Sequence, residues 1–346
     1  MISKITSNLN LLMSLYRKLS RQPKQFLSLT GMNLHQFQEL LPQLTEANRR
    51  LERERKAQVV GTQQKRERGI GGGAKFANLL EDRLLMALIY YRLYLTQEFM
   101  TLLFKAANKS VICRNIQLTR SVLEAVLPVP ERARGRLLAI AKTEAVRRQK
   151  RIGTVEEFVE AYPELTFLID GVEQEKRKPK DKEERKNDYS GKKKKHTRKQ
   201  IVIGTPAGII VDQSPSVGGR AHDFKVFRQD CQNRRVLDEF AEHRACFYGD
   251  SGFQGIEGLA LPIESRISQR ARRNHPLTRD EKKLNRLRNS IRVEIEHTFS
   301  RRKKYRIASD VYRNRDADYD MTMNIVSGLV NLRAYDRVFQ RTGVKI

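Results

Sequence analysis

Apolar residues recur along the chain with two different periods, and the change falls near residue 165. Up to that point the spacing is helical. Leu34, Phe37, Leu41 and Leu44 share one helix face, "TEANRRLERERK" continues as a charged helix, and "LLEDRLLMALIYYRLYL" is an amphipathic stretch rich in large apolar residues. Thr96 can cap a short helix carrying Phe99, Leu102 and Leu103, and "KAAN" can turn the chain. A second helix then starts at about Lys109 and exposes Lys109, Ser110, Arg114, Asn115 and Arg120. Helix, short turn and polar helix is the pattern of a helix-turn-helix, although any helical hairpin shares it.

From residue 165 onward the runs are short and rich in β-branched and aromatic residues: "LTFLID", "QIVIGT", "GIIVDQS", "ACFYGD" and "LALPIE". "TPAG" joins the second to the third as a turn. "HDFKVFRQDCQNRRVLDEF" reads as a helix between the third and fourth runs. A long helix follows the fifth, opened by a capping box of Thr278 and Glu281, and further helical residues follow position 316. This order predicts an α/β domain with a mixed five-stranded sheet flanked by helices. The chain divides accordingly into N-terminal helices (1–58), a basic Gly-rich linker (59–75), the helix-turn-helix region (76–127), a basic connector (128–153) and the α/β domain (154–346), whose start carries a capping box of Thr154 and Glu157.

Charge narrows the partners. The formal net charge is +28 over 346 residues, and the basic residues run along most of the chain rather than forming one tail. Such a chain suits a polyanion, nucleic acid first and an acidic membrane surface second. No apolar run approaches the roughly 18 residues of a spanning helix, and the N-terminus lacks the plan of a secretory signal. Cys113, Cys231 and Cys246 form no CxxC pair and no disulfide framework, which fits a reducing, intracellular setting; the expected location is cytoplasmic, with no membrane partner. "GIGGGAK" lacks the spacing of a phosphate-binding loop and no strand precedes it.

Two predicted strands end in an acid, "LTFLID" at Asp170 and "ACFYGD" at Asp250. Carboxylates at the ends of neighbouring strands can converge at one edge of a sheet, where open α/β sheets place their sites; either Asp alone reads first as a cap of its own turn. The long helix offers a third acid. At about 100° per residue, with Asn289 as zero, Arg292 falls near ~300°, Glu296 near ~340° and Lys303 near ~320°. Leu284, Leu287, Ile291, Ile295 and Phe299 gather near ~220° as the core stripe, and Glu294 leaves the polar group at ~140°. A solvated polar face with a spaced Arg–Glu pair gives the same pattern. Three carboxylates without a cysteine or histidine cluster suit hard divalent cations, and a pair of such ions can clamp an in-line phosphoryl transfer.

The segments "LIDGVEQ", "DYSGKKKKHTRKQIVIGTPAGII", "GGRAHDFKVF", "YGDSGFQG" and "RNSIRVEIEHTFSRRKKYRI" together resemble the DDE transposases of bacterial insertion sequences. The resemblance covers about 150–335 and implies a ribonuclease H-like catalytic domain preceded by an all-α helix-turn-helix domain. It implies metal ligation by Asp170, Asp250 and Glu296, with two Mg²⁺ ions for which Mn²⁺ can substitute. In the family's helix signature (Tyr, Arg, Glu, Lys) the slots hold Asn289, Arg292, Glu296 and Lys303, so the first departs from the pattern. Val172 stands where Thr is common, and His222 and Asp223 match an HD pair implied to support the site, although Asp223 can equally cap a helix start. The implied function is binding of terminal inverted repeats, metal-dependent strand cleavage and strand transfer into target DNA, by at least a dimer. A regulator that has lost the chemistry, a nuclease of the same fold and an RNA-binding protein are the alternatives.

Between the first two predicted strands, residues 176–199 hold 13 Lys or Arg against 4 Asp or Glu. Composition alone makes this a solvated loop or a targeting tag. Its place beside the strand ending in Asp170 predicts that Lys192, Lys193, Lys194, Lys195, His196, Arg198 and Lys199 overhang the carboxylates as a phosphate clamp.

Overall fold

The computed structural model of the protein describes residues 14–60, 79–148, 166–234, 236–241, 245–259, 264–271, 273 and 275–342. The Gly-rich stretch from 61 to 75 and the capping box of Thr154 and Glu157 lie outside the described residues. Two compact units result, Met1–Leu127 with Tyr305–Ile307, and Pro128–Lys304 with Ala308–Ile346.

The first unit is helical: α1 (Leu15–Leu19), α2 (Pro23–Thr30), α3 (Leu34–Val60), α4 (Leu80–Leu93), α5 (Gln97–Phe104) and α6 (Lys109–Val126). Every residue of α4 from Asp82 to Tyr91 is buried, which makes it the central helix of the unit. Phe26, Phe37, Leu44, Ile112 and Val122 are buried as well. Thr96 caps α5 by accepting from the Phe99 amide at 3.3 Å. The turn opens with Lys105 in the left-handed region at φ 50°. Asn108 caps α6 by accepting from the amides of Ser110 and Val111. The short helix α5 forms with its Thr96 cap and packs through Met100 and Phe104, while Phe99, Leu102 and Leu103 are exposed. One expectation fails here. Lys109, Ser110 and Arg114 are exposed, but Asn115 is buried on the inward face with Ile112, Ile116 and Thr119.

The second unit holds a sheet of seven strands: β1 (Thr166–Glu175), β2 (Tyr189–Ser190), β3 (Lys195–Gly204), β4 (Ile210–Gln213), β5 (Val217–Gly218), β6 (Cys246–Gly249) and β7 (Glu264–Ile267). The main path runs β2-β3-β1-β6-β7, with β4 and β5 also on β3. β1 pairs antiparallel with β3, while β1–β6 and β6–β7 are parallel. One feature departs from the five predicted runs. β3 is ten residues long, so its far edge accommodates three short partners, β2, β5 and β4. Residues 260–263 of the "LALPIE" run lie outside the described residues, and β7 is described from Glu264.

Helices α7 (Pro130–Arg148), α8 (Lys182–Asp188), α9 (Asp223–Arg234), α10 (Val236–Ala241), α11 (Arg279–Lys303) and α12 (Tyr319–Thr342) complete the unit. Strand alternation sends Phe167, Ile169, Ile201, Ile203, Val211 and Phe247 into one core, closed by Val226 and Phe227 of α9, Leu237 and Phe240 of α10, and Ala334 of α12. α7, basic enough to read as a connector, buries Ala133, Leu137 and Leu138 in the same core. Asn331 of α12 accepts from the Ile210 amide at 2.7 Å and donates to the Ile210 carbonyl at 2.8 Å, so a side chain takes the place of a further strand beside β4.

The capping box at the start of α11 forms in full: the Glu281 amide donates to Thr278 Oγ1 and the Thr278 amide donates to Glu281 Oε2. The helix rests on the sheet through Ile295, whose Cδ1 lies so close to Gly204 that a Cβ there would meet it at 2.9 Å. Its apolar stripe is only half buried. Ile295 and Phe299 are enclosed, whereas Leu284 and Leu287 are exposed, because the first turns of α11 run past the sheet to the end of β7. There Asn285 exchanges two hydrogen bonds with the Gln269 backbone, Asn289 accepts from Ser268 Oγ, and Arg288 donates to the Ile267 carbonyl. Among the described residues no helix is long and apolar enough to cross a membrane.

Candidate active site

Asp170 does not end its strand. β1 continues to Glu175, and only its β6 neighbour stops, so the strand is open on that side from about Asp170 onward. The parallel pairs Thr166–Cys246, Phe167–Phe247 and Leu168–Tyr248 share one offset, 246 − 166 = 80. The interval from Asp170 to Asp250 is also 80, so the two acids continue the register two residues beyond its last pair. Neighbouring strands lie about 4.8 Å apart, and residues of equal parity share a face, so Asp170 and Asp250 stand level on one side of the sheet. The Asp250 carboxylate caps the 3₁₀ turn Ser251–Phe253, accepting from the Gly252 amide at 2.8 Å.

Glu296 comes from α11 on that same side. Arg292, one turn earlier, places one guanidinium nitrogen 3.4 Å from Asp170 Oδ2 and another 3.2 Å from Glu296 Oε1. Glu294 points elsewhere, to His297 at 3.2 Å and Arg301 at 3.9 Å. Lys303 is exposed two turns further along, about 10 Å from the level of Glu296. Asp170 is pushed up to about 6, chiefly by burial; the Gly171 amide and Arg292 oppose the rise, and the carboxylates of Asp250 and Asp223 add to it. The three acids offer only carboxylate oxygens, the donors that a hard divalent cation takes, and Arg292 stands between Asp170 and Glu296.

The HD pair lies at the start of α9. His222 is exposed. Asp223, which read equally as a helix cap, instead places Oδ1 2.7 Å from Lys199 Nζ, and a Cβ at Gly171 would meet Asp223 Oδ2 at 2.8 Å. Lys199 Nζ also lies 3.1 Å from Glu173 Oε1 and donates to the Ala221 carbonyl at 2.6 Å.

The basic segment is a hairpin. Tyr189 faces His196 and Ser190 faces Lys195, which leaves Gly191–Lys194 as the turn, closed by Lys194 donating to the Ser190 carbonyl with φ 57°. It does not overhang the carboxylates as predicted. Asp170 is level with Val202, seven residues from Lys195, or roughly 23 Å along the strand. Lys192, Lys193 and Lys194 are exposed at the tip. Lys195 pairs with Glu175, the His196 ring packs edge-on to Tyr189, and Lys199 is buried, so these three already face protein groups.

Among the described residues the one set of three acids with ligand atoms mutually within 4.8 Å is Glu184, Asp188 and Asp316. Sequence reasoning did not find it, and it is not a vacant metal centre. The Lys176 ammonium reaches all three carboxylates. Burial lowers the Lys176 pKa, and the three acceptors outweigh that, leaving it raised.

Comparison with known proteins agrees with this geometry. Residues 169–331 match the family described as DDE superfamily endonuclease, a stretch that contains Asp170, Asp250 and Glu296. The matched stretch runs from β1 into α12 of the second unit. The chain is also similar to a protein of Microchaete diplosiphon named "Probable transposase for insertion sequence element IS702", with 26% identity over 275 residues, 79% of this chain and 87% of that one. Both matches are to DDE endonucleases and transposases of insertion sequences, which is what the chain is similar to. No solved structure gives a significant match.

Proposed function

We propose that this protein is a DNA transposase that binds the terminal inverted repeats of a mobile element, cleaves its ends and transfers the freed strand into target DNA. The single observation that carries the reading is the placement of Asp170 and Asp250 at one level on parallel strands, with Arg292 spanning Asp170 and Glu296. In this reading the second unit is a ribonuclease H-like catalytic domain, 154–346. The helices before it serve DNA binding, with 76–127 as the helix-turn-helix that presents Lys109, Ser110 and Arg114.

Asp170, Asp250 and Glu296 would hold two Mg²⁺ ions, or Mn²⁺ in their place, and these supply Lewis-acid activation of the attacking oxygen and stabilisation of the leaving one. The chain's own groups do the rest. Arg292 keeps Asp170 and Glu296 in register and offers a cation to the phosphate under attack. Lys303, exposed two turns beyond Glu296, would meet the backbone of a bound strand. The exposed hairpin lysines 192–194 supply a sequence-independent grip on DNA. Hydrolysis at an element end leaves a 3′-hydroxyl, which then attacks a target phosphodiester. Pairing two ends requires at least a dimer, acting in the cytoplasm on chromosomal DNA.

The test is cleavage of DNA carrying the element's ends. The wild-type chain should cut at the ends with Mg²⁺ and join them to a target, and Glu296→Gln should bind the same DNA without cutting it. Cutting by Glu296→Gln at the wild-type rate would falsify the assignment. Cutting without joining would favour a nuclease of the same fold.

A further inference from the structure

The buried face of β1 carries a second group of charges that the three acids do not explain. Lys199 is 6% exposed and stands opposite Glu173 in the β1–β3 register. Its ammonium lies between Glu173 Oε1, Asp223 Oδ1 and the Ala221 carbonyl. One cation faces two carboxylates, 1 − 2 = −1, so the group keeps a negative charge. The two acids differ in access. The Glu173 side chain is 10% exposed and enclosed, whereas that of Asp223 is 34% exposed. Asp223 Oδ1 itself is buried against Lys199, so the accessible part of this carboxylate lies toward Oδ2.

Oδ2 rests on the backbone at Gly171, the residue after Asp170. Alternation sends the Asp170 side chain to the opposite face from position 171. Pairing with β6 stops at Leu168, and the charge of the Asp223 carboxylate nevertheless acts on Asp170. Gly171 has no Cβ, which lets a carboxylate from α9 close on the strand at the one point where it stands beside Asp170.

We propose that Asp223 is a fourth carboxylate of the metal centre, with Oδ1 fixed by Lys199 and Oδ2 presented to an ion held at the open edge of β1. Lys199 is then a positioning residue and not part of a phosphate clamp. This rests on the metal-binding reading of Asp170, Asp250 and Glu296.

The test is Mn²⁺ binding to the full chain without DNA, followed by calorimetry and by the spectrum of the bound ion. Asp223→Asn should weaken Mn²⁺ binding at least tenfold. Glu173→Gln removes the other acid from the same lysine and should leave the affinity within twofold of wild type. Equal binding by wild type and Asp223→Asn overturns the proposal while leaving the three-acid reading intact, and absence of Mn²⁺ binding by the wild type overturns both. Equal losses in the two variants mean a structural strut only, and also overturn it. A measurement on the wild type avoids any folding defect. Fe²⁺ in place of Mg²⁺, with ascorbate and peroxide, should cut the backbone at 222–224 as well as beside Asp170 and Asp250. Cuts beside the two aspartates without cuts at 222–224 would count against it in the same way.

Discussion

Asp170 and Asp250 continue, two residues on, the parallel register that pairs Leu168 with Tyr248. Their separation of 80 residues in the chain is thus the offset of two adjacent strands, and their nearness does not depend on a flexible loop. Neutral replacements should leave the sheet intact and remove only the charge. Asp170→Asn and Asp250→Asn should each lower Mg²⁺-dependent cleavage of element-end DNA at least about 10²-fold, in the range seen when a key electrostatic group is deleted. Mobility shifts should show DNA affinity unchanged or stronger, since an acid has been removed.

The hairpin tip should act on DNA through charge alone. Replacing Lys192, Lys193 and Lys194 together with Gln should weaken binding to unrelated sequences alike, and should flatten the salt dependence by about 2–3 in slope, close to one unit per lost phosphate contact. The melting temperature should hold, because these side chains are exposed. An unchanged slope would return the segment to a solvated loop or a targeting tag.

Lys176 is the reverse case. Its side chain is 6% exposed, and Asp188 beside it is 3% exposed. Lys176→Met leaves that aspartate buried without its cation, a change that costs about 3 kcal/mol or more. Thermal unfolding should move down by several degrees. Adding Mg²⁺ should not mimic the lysine and restore the wild-type value.

Cysteine reactivity offers a check on the core. Burial pushes the Cys246 thiol up to about 11, with Arg266 opposing the shift. At neutral pH it stays protonated and enclosed, whereas Cys113 and Cys231 are partly exposed. A thiol reagent should modify the latter two in the native protein and Cys246 only on unfolding, as peptide mapping would record.

Much of the second unit was legible in the sequence, and the reason is local. β-branched runs, the turn at "TPAG" and the Thr278–Glu281 box each act within a few residues. Helical angles also separated Glu296 from Glu294, and the two glutamates do point to different partners. What stayed hidden depends on pairing at a distance. Leu284 and Leu287 sit on the correct stripe of α11, but the sheet beneath them ends too soon. Asn115 looked like a polar surface residue, and the packing of its neighbours Ile112, Ile116 and Thr119 turns it inward. Lys199 reads as one more lysine in a basic run until β1 brings Glu173 opposite it and α9 delivers Asp223.

One further property comes from the length of β3. The strand carries the hairpin at one end and passes Asp170 near the other, so under the proposed function it would act as a ruler of roughly 23 Å between grip and cut. B-form DNA rises about 3.4 Å per base pair, which makes that length close to seven base pairs. A duplex lying along β3 would therefore be held about seven base pairs from the bond that the carboxylates address. Inserting two residues into each of β1 and β3 would move the footprint of the grip and leave the point of cleavage where it was.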